Sequence, residues 1–311
     1  MAFFFTLELQ IPMPVTLAYI CVILIWSTTP LAMKWSTEGV GYLFGVISRM
    51  GIGMIVAILI CTISGVNLPI HRRAVLTYLA SGSGVFLTMS CCYWAVQFIP
   101  SGWVSVIFGI SPLVTSFVAS FILREKLVSV SRTGALVVSL TGLYLMFRQN
   151  LDIGGNVIPG ITAVIAGTIF YSISMVAIKA INADIKPVMT VTGTLIITVL
   201  LFSMSWKFSG NDFPAIIPAR TAGAILYLGI IGSVLGFMLF YQVLQQVDTT
   251  RAALITLITP GCALILGHLL NQEPLTVDIL LGCLVVLFGL LLFQFGDAII
   301  TRPGRTTEFE G

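Results

Sequence analysis

Three cations set within or beside long apolar runs are the residues of this sequence that could bind a charged solute. Arg49 lies inside one run, and Lys34 and Lys179 lie near the ends of two others. A cation within a membrane-spanning segment is costly to bury and is usually functional. Arg49 could attract a substrate carboxylate or tie helices together, whereas Lys34 and Lys179 could simply extend their charges to the membrane surface.

Four aromatic residues within the runs are candidates for stacking against a bound solute. Trp26 and Tyr171 are the better candidates, because Trp26 lies near the middle of its run, away from an interfacial aromatic belt, and Tyr171 holds the equivalent place in a second run. Tyr78 and Trp103 are weaker candidates.

Two tyrosine–glutamine pairs could also line a pathway. Tyr93 and Gln97 are four residues apart, as are Tyr241 and Gln245, so each pair is expected to share a helix face. A buried glutamine must face protein or water. A tyrosine near the end of a span is equally well explained as an interfacial belt residue.

Two prolines interrupt apolar runs at matching places. Pro112 and Pro260 each lack an N–H and push the helix away from the carbonyl four residues earlier, at Phe108 and Thr256. A carbonyl freed in hydrocarbon must find water, a side chain or a substrate. The symmetric placement favours a paired hinge beside a substrate path over a simple packing kink.

Two carboxylates, Glu125 and Glu273, close the fourth and ninth apolar runs. They could couple transport to an ion. The favoured interpretation is structural: each binds backbone donors at a helix boundary or pairs with a neighbouring cation such as Arg124 or Lys126. Because no Asp or Glu lies near the centre of any run, we expect facilitated diffusion, exchange or weak coupling.

The sequence predicts no cofactor, metal centre or disulfide. The six cysteines all lie in apolar runs without a C-x-x-C pair, and His268 is a lone histidine better explained by packing than by proton transfer. The phosphate-binding pattern G-x-x-x-x-G-K-[ST] is missing, so the chain is not expected to hydrolyse ATP.

Composition indicates a membrane protein. Of 311 residues, 58% are hydrophobic and only 9% are charged, and the mean hydropathy is +1.07. A soluble chain uses roughly a quarter of its residues as charged groups. The low charged fraction therefore excludes a soluble enzyme. The net charge of +3 comes from scattered basic residues, which excludes a nucleic-acid-binding protein.

Ten segments are apolar enough to be spans, since a helix needs about 20 mainly apolar residues to cross the hydrocarbon core. The fifth is short, so a tilted or thinly spanning helix is expected there. The predicted spans are Pro14–Ser36, Tyr42–Ser64, Ala74–Phe98, Gly102–Leu123, Thr133–Phe147, Gly160–Ala180, Pro187–Trp206, Ala222–Leu244, Ala252–Leu270 and Val277–Phe295.

Loop charges predict that both termini are cytoplasmic, because basic residues concentrate in cytoplasmic loops. The residues before Met13 carry no Lys or Arg, so the first span is not expected to be a cleaved signal peptide. The cytoplasmic basic residues would be Arg72, Arg73, Arg124, Lys126, Arg132, Lys179, Lys186, Arg251, Arg302 and Arg305. The external set would be only Lys34, Arg148, Lys207 and Arg220.

The chain contains an internal repeat. An offset of 148 residues superposes Gly84 on Gly232, Tyr93 on Tyr241, Gln97 on Gln245, Pro112 on Pro260 and Glu125 on Glu273. Near the start the offset is 145, which places Trp26 on Tyr171 and Lys34 on Lys179. Five spans per copy is an odd number, so the second copy must be inverted, as in many transporters. The predicted units are residues 1–150 and 151–311.

The repeated pattern resembles the EamA domain of the drug/metabolite transporter superfamily. The residues that carry the resemblance are Tyr93, Ala95, Ser101, Pro112, Glu125, Gly134 and Gly142, repeated as Tyr241, Thr249, Ala252, Pro260, Glu273, Gly282 and Gly289. The resemblance covers nearly the whole chain as two tandem units. It implies a ten-helix basket around a central cavity, and bacterial members that mostly export amino acids or other small metabolites.

The sequence therefore predicts an all-α integral membrane protein of ten transmembrane helices in two inverted five-helix repeats. We expect a non-enzymatic transporter of the bacterial inner membrane that exports amino acids or similar amphiphilic solutes by alternating access. One alternative is an importer of nucleotide-linked or purine compounds. Others are a membrane enzyme acting on lipid, for which clustered catalytic residues are missing, and a purely structural subunit or receptor.

The expected partners are a small-molecule substrate and the lipid bilayer, with no nucleic acid. The small-residue spacing Gly232-x-x-x-Gly236 permits close helix contact. It could serve internal packing or a dimer seam, so the expected state is a monomer or a weak homodimer.

Overall fold

The computed structural model describes residues 14–123, 130–148, 157–247 and 249–300, and these residues include no β-strand. Within them, nine helical stretches are long and apolar enough to cross a membrane, and Ser131–Phe147 is a shorter apolar helix. Hydrocarbon offers the backbone no hydrogen-bond partners, which is why each crossing is helical. The predicted all-α membrane architecture of ten spans is confirmed.

The described residues form six helices in the first half of the chain and six in the second, with a π-helical segment between two of the latter. The first six are α1 Val15–Trp35, α2 Tyr42–Ile63, α3 Arg72–Ala95, α4 Ser101–Gly109, α5 Ser111–Ile122 and α6 Val130–Phe147. The others are α7 Val157–Ile181, α8 Pro187–Ser209, α9 Ala219–Tyr227, the π-helical segment Leu228–Leu235, α10 Gly236–Gln246, α11 Thr249–Asn271 and α12 Val277–Ile300.

The fourth span, for which the sequence predicts one segment with an interruption at Pro112, is formed by two helices. It divides at Ile110 into α4 and α5, and the Ile110 N–H bonds to the Ile107 carbonyl at 3.2 Å. Pro112 lies in the first turn of α5, where its missing N–H leaves no intrahelical bond unmade. Pro260, in contrast, lies inside the continuous helix α11.

Two other spans also differ from expectation. The fifth span was expected to begin at Thr133, but α6 begins at Val130 and has 18 residues. The eighth span extends from Ala219 to Gln246 and includes the eight-residue π-helical segment. A π-helix is rare and is often found at functional sites.

Helices of the two halves pack mainly against each other. In the first half, α1 contacts α10 and α11, α2 contacts α8 and the π-helical segment, α4 contacts α11, and α6 contacts α12. In return, α7 contacts α3 and α5, and α8 contacts α3. The pattern is that of an inverted repeat, in which equivalent helices exchange partners across a pseudo-two-fold axis.

The contact between α6 and α12 depends on glycine. A Cβ built on Gly142 would lie 2.7 Å from the Gly282 carbonyl oxygen, and one built on Gly282 would lie 2.6 Å from the Gly142 carbonyl oxygen. Small residues let two membrane helices approach closely enough for extensive van der Waals contact. These two helices therefore form a closely packed pair that joins the two halves.

The Gly232-x-x-x-Gly236 spacing serves internal packing. Atoms of Thr29 and Ile25, both on α1, lie next to Gly232 and Gly236 respectively. The two glycines thus face α1 inside the protein and not a second copy of the chain.

Candidate functional site

Arg49 is the centre of a polar site between the two halves. Its side chain is only 4% exposed. Its Nε donates to Ser233 Oγ at 3.0 Å and its Nη1 donates to Tyr93 Oη at 3.4 Å. Arg49 belongs to α2, Tyr93 to α3 and Ser233 to the π-helical segment, so this cation joins elements of both repeats.

Small residues of the π-helical segment make room for Arg49. A Cβ built on Gly229 would lie 3.2 Å from the Arg49 carbonyl oxygen, and one on Gly53 would lie 3.3 Å from Ser233 Cβ. Gly232 has more space, since its Cβ would be 3.8 Å from both Arg49 Nη2 and Thr29 Oγ1. Of these glycines, Gly232 lies beside the guanidinium, where a larger residue would crowd it.

Trp26 lies beside Gly236, which is one helix turn along the eighth span from Gly232, the glycine beside Arg49. A Cβ built on Gly236 would be 3.6 Å from Trp26 Nε1. The indole ring packs against Phe240 at 4.6 Å between ring centroids and against Phe237 at 6.4 Å. Trp26, Phe237 and Phe240 thus form an aromatic cluster at the contact between α1 and α10.

The other predicted aromatic residues lie elsewhere. Tyr171 packs against Phe108, at 5.0 Å between ring centroids, beside the break between α4 and α5. The ring of Tyr78 covers Gly193 of α8. Neither of these ring contacts involves Arg49.

Trp103 is also separate from the Arg49 site. It is almost fully buried and packs against Phe147 of α6, at 4.8 Å between ring centroids. Among the described residues, its Nε1 has no hydrogen-bond partner.

Tyr93 and Gln97 do not share a helix face, contrary to expectation. The helix α3 ends at Ala95, so the four-residue rule no longer applies at Gln97. Tyr93 is fully buried, whereas Gln97 is exposed and donates to the Trp94 carbonyl. The side chains of Tyr241 and Gln245 lie outside the described part of the structure.

The two proline spans cross near each other. A Cβ built on Gly109, just before the break in the fourth span, would lie 3.2 Å from Pro260 Cγ. Pro112 and Thr256 line a common small cavity of about 50 Å³ between α5, α11 and α12. Thr256, whose carbonyl Pro260 was expected to free, therefore borders the same cavity as Pro112.

Glu273 ties the end of α11 to the start of α4. It is 6% exposed, and its carboxylate accepts from the Ser101 N–H and hydroxyl, each at 3.0 Å, and from the Gly102 N–H at 3.3 Å. Lys34 Nζ lies 3.5 Å away, and Asn271 donates to the carboxylate at 3.1 Å. A carboxylate at a helix N-terminus satisfies free N–H groups and the helix dipole. Glu125 lies outside the described residues.

Asn271 extends this arrangement to two further helices. Its Oδ1 accepts from Trp35 Nε1 at 3.0 Å and from Arg220 Nη2 at 3.2 Å. Arg220 stacks over the Trp35 ring, with Cζ 4.1 Å from the centroid, and its Nη1 lies 3.7 Å from Glu38 Oε2. We call Lys34, Trp35, Arg220, Asn271 and Glu273 the Glu273 cluster; it joins one end each of α1, α4, α9 and α11.

Neither metal ligation nor disulfide chemistry has a candidate among the described residues. They contain no group of three or more His, Cys, Asp or Glu side chains that could hold a metal ion. All six cysteines are free. His268 Nδ1 lies 2.8 Å from the Glu273 backbone carbonyl oxygen, so it supports the loop that carries Glu273.

The pattern of the whole chain matches one family twice. A sequence profile of the EamA-like transporter family matches residues 13–148 and again residues 158–295. The chain belongs to this family. The expectation drawn from the repeated Tyr, Pro and Glu positions is therefore confirmed, and the chain is a membrane transporter of the EamA type.

Relatives and a solved structure agree with this assignment. The uncharacterized transporter YoaV of Bacillus subtilis is 27% identical over 90% of this chain and 97% of its own. Protein PagO of Salmonella typhimurium is 21% identical over 89% and 92%. A probable terminal-alkyne amino-acid exporter of Streptantibioticus cattleyicolor is 19% identical over 86% and 89%. A crystal structure shares the fold, with a TM-score of 0.66 and 19% identity over 92% of this chain and 98% of the other.

Sequence reasoning missed several residues of this EamA transporter's polar sites. Ser233 looks like one small residue among many, and nothing in its surroundings in sequence points to Arg49, 184 positions away. Asn271 and Trp35 were missed for the same reason. One signal in the sequence is the change of repeat offset from 145 to 148, which indicates inserted residues before Gly232.

Proposed function

We propose that this protein exports amino acids or similar small amphiphilic carboxylates by alternating access. The observation that carries the proposal is Arg49, a buried cation held by Ser233 and Tyr93 between the two repeats. A guanidinium has more N–H donors than these two bonds use, and its planar fork matches a carboxylate. Arg49 would bind the carboxylate while Trp26 packs against the apolar part.

Access to Arg49 requires a change of conformation. In the conformation described here Arg49 is only 4% exposed, so a solute cannot reach its guanidinium. Substrate would reach the guanidinium when α1 separates from the π-helical segment and α10. Because those elements belong to different repeats, rocking one repeat against the other would open the site, as in other inverted-repeat transporters.

The Glu273 cluster would keep one end of this pathway closed. It joins α1 and α4 of the first repeat to α9 and α11 of the second. With both termini in the cytoplasm, this end would face the outside of the cell, so the conformation described here would be closed to the exterior. Opening outward would then require Glu273 to release Ser101 and Gly102.

Substrate class and location rest on further support. One relative is named a probable terminal-alkyne amino-acid exporter. The relatives from Bacillus and Salmonella favour a bacterial inner membrane. We also propose that the protein acts without enzymatic activity or cofactor, as a monomer or weak homodimer.

Transport is proposed to need no strong ion coupling. The described acidic residues lie at helix ends or in connecting segments, and Glu273 is engaged by several hydrogen-bond donors. No acidic side chain that the structure describes lies near the middle of a span, where the carboxylates of proton relays are found. Exchange of substrate across the membrane is therefore expected without a proton gradient.

Entrance counterflow in proteoliposomes tests the proposal. Purified protein is reconstituted into vesicles that are preloaded in turn with individual amino acids, nucleosides and sugars, without a proton gradient. Transient accumulation of a labelled amino acid or related carboxylate is expected, and protein-free vesicles provide the baseline. Counterflow of nucleosides alone would contradict the proposed class, and strong uptake that depends on a proton gradient and on Glu273 would contradict weak coupling.

A further inference from the structure

The charge around Arg49 is unbalanced. In the described part of the chain, Arg49 hydrogen-bonds to two neutral hydroxyl groups, and no carboxylate pairs with it. The acidic side chains that the structure describes are engaged elsewhere or lie outside the helices: Glu38, Glu273 and Asp278 pair with Arg220, Lys34 and Arg148, and Asp184 and Asp212 lie in connecting segments. A buried cation without an anionic partner carries a desolvation cost that a bound anion would offset.

This imbalance distinguishes anions from zwitterions. A monoanion bound to Arg49 would bring the charge of the site to zero. An amino acid would do the same with its carboxylate but would also bury an ammonium group, for which the described residues near Arg49 supply hydroxyls and no carboxylate. Desolvating an unpaired ammonium is expensive, so the zwitterion should bind less tightly than an equally shaped anion.

The geometry also suits a particular shape of anion. Gly232 faces Arg49 Nη2, and Gly236 faces Trp26 Nε1. Gly232 and Gly236 are about one helix turn apart, a separation on the order of 5 Å. This is the separation between the charged end and the aromatic or branched end of a small amphiphilic acid.

Resting on the proposed transport function, we propose that the preferred substrate is a net-anionic carboxylate with an apolar body and no charged amine. Arg49, with Ser233 and Tyr93, binds the carboxylate, and Trp26 contacts the apolar part. Hydroxy acids and amino acids whose amine is acylated belong to this class. Free amino acids are then secondary substrates.

Matched ligands test this preference. Phenylalanine and leucine are each compared with the hydroxy acid in which a hydroxyl replaces the ammonium group, and phenylalaninol serves as the analogue without a carboxylate. Binding to the purified full chain is measured by titration calorimetry, and exchange by counterflow at neutral pH against protein-free vesicles. Each hydroxy acid is expected to bind at least about tenfold more tightly than its amino acid, and phenylalaninol should not compete.

Variants connect the preference to Arg49. Arg49→Gln should abolish the difference between hydroxy acid and amino acid, and Arg49→Lys should keep it at lower affinity because an ammonium cannot bind both carboxylate oxygens as a fork does. Lys207→Gln, which removes one positive charge at an exposed site, should retain the wild-type preference. If Arg49→Gln does not fold, the ligand comparison on the wild type and Arg49→Lys still decides.

The outcomes separate the two proposals. If amino acids bind and exchange as well as or better than the hydroxy acids, the anionic preference is wrong and the transport proposal stands. If correctly folded protein binds and exchanges neither kind of carboxylate, both proposals are wrong. A hydroxy-acid preference that survives in Arg49→Gln would also overturn the inference.

Discussion

Two equivalent helix contacts of the protein differ in charge and in backbone. In the first, α2 packs against the π-helical segment: a Cβ built on Gly229 would meet Ile52 Cγ2 at 2.7 Å and the Arg49 carbonyl oxygen at 3.2 Å. The side chain of Arg49 then continues to Ser233. This contact thus contains a cation and a rare helix type together.

In the second contact, α8 packs against α3 with the same backbone approach but with neutral residues. A Cβ built on Gly82 would meet Ile197 Cγ2 at 2.7 Å and the Thr194 carbonyl oxygen at 3.0 Å. Thr194 therefore occupies the place of Arg49. Its hydroxyl lies 2.6 Å from that of Ser81, and α3 is a regular helix.

The spacing of equivalent glycines shows where the backbones of the two contacts differ. The equivalent glycines Gly82 and Gly229 are 147 positions apart, whereas Gly84 and Gly232, which face Ser174 and Thr29, are 148 apart. One extra residue therefore lies between Gly229 and Gly232, inside the π-helical segment. The insertion and the buried arginine occur at one contact, which indicates that the symmetric scaffold is specialised on one side of its axis.

Single-residue deletions should give the largest difference between the two contacts. Leu87 in α3 and Ile230 in the π-helical segment both face outward, with 39% and 43% exposure. Deleting Leu87 rotates part of a regular helix by about 100° and should prevent folding. Deleting Ile230 removes the extra residue, so the protein should fold but lose most counterflow because Ser233 shifts away from Arg49.

Size-exclusion chromatography and counterflow would measure the two deletions. Equal loss of monodisperse protein in both variants would contradict the assignment of an inserted residue. A folded Ile230 deletion with full activity would show that the π-helical geometry is dispensable for transport.

Alanine at the paired glycines should separate stability from transport. Gly84→Ala places a Cβ onto the Ser174 side chain, so it should destabilise the protein by about 1–3 kcal/mol. Gly232→Ala meets Leu228 Cδ2 at an ordinary 3.4 Å and should be close to neutral in stability. Its methyl group would nevertheless lie beside Arg49 Nη2 and should lower counterflow.

Thermal unfolding in detergent, together with counterflow, checks this pair. A Gly232→Ala variant that unfolds as easily as Gly84→Ala would mean that the space beside Arg49 is needed for packing. Unchanged transport in Gly232→Ala would argue that no substrate passes that point.

The two serines should differ by a smaller amount. Ser233→Ala leaves a charged N–H of Arg49 without its acceptor, which should cost about 2 kcal/mol. Ser81→Ala should cost about 1 kcal/mol or less, because Thr194 still donates to the Thr190 carbonyl. Melting temperatures of the two variants provide the comparison, and an equal loss would show that the charge of Arg49 adds nothing to this bond.

Sequence predicted the spans well because hydrophobic length is a local property. Pro112 signals an interruption close to the break at Ile110, but nothing marks the π-helical segment, because it does not change the apolar character of its run. The residues that meet Arg49 were harder still: Tyr93 and Ser233 are 44 and 184 positions away, and only folding brings them together. The same holds for Glu273 and Ser101, 172 positions apart.

The internal repeat also carries a signal of the asymmetry at Arg49. The offset of 145 pairs Arg49 with Thr194, a comparison that already shows a charge present in one copy and missing from the other. The increase of the repeat offset from 145 to 148 has two sources: a longer loop before α9 and the extra residue of the π-helical segment. Only the structure separates these two contributions.

The smallest expected difference concerns the pair Tyr93 and Gln97. Tyr93→Phe removes the hydroxyl that accepts from Arg49 at a long 3.4 Å, so counterflow should fall by about two- to fivefold, equivalent to less than about 1 kcal/mol. Gln97→Ala changes an exposed residue beyond the end of α3 and should leave both stability and counterflow unchanged. If Gln97→Ala instead impaired transport as much as Tyr93→Phe, the pathway would have to extend past α3 to the surface, and Arg49 would be one of at least two places where substrate is bound.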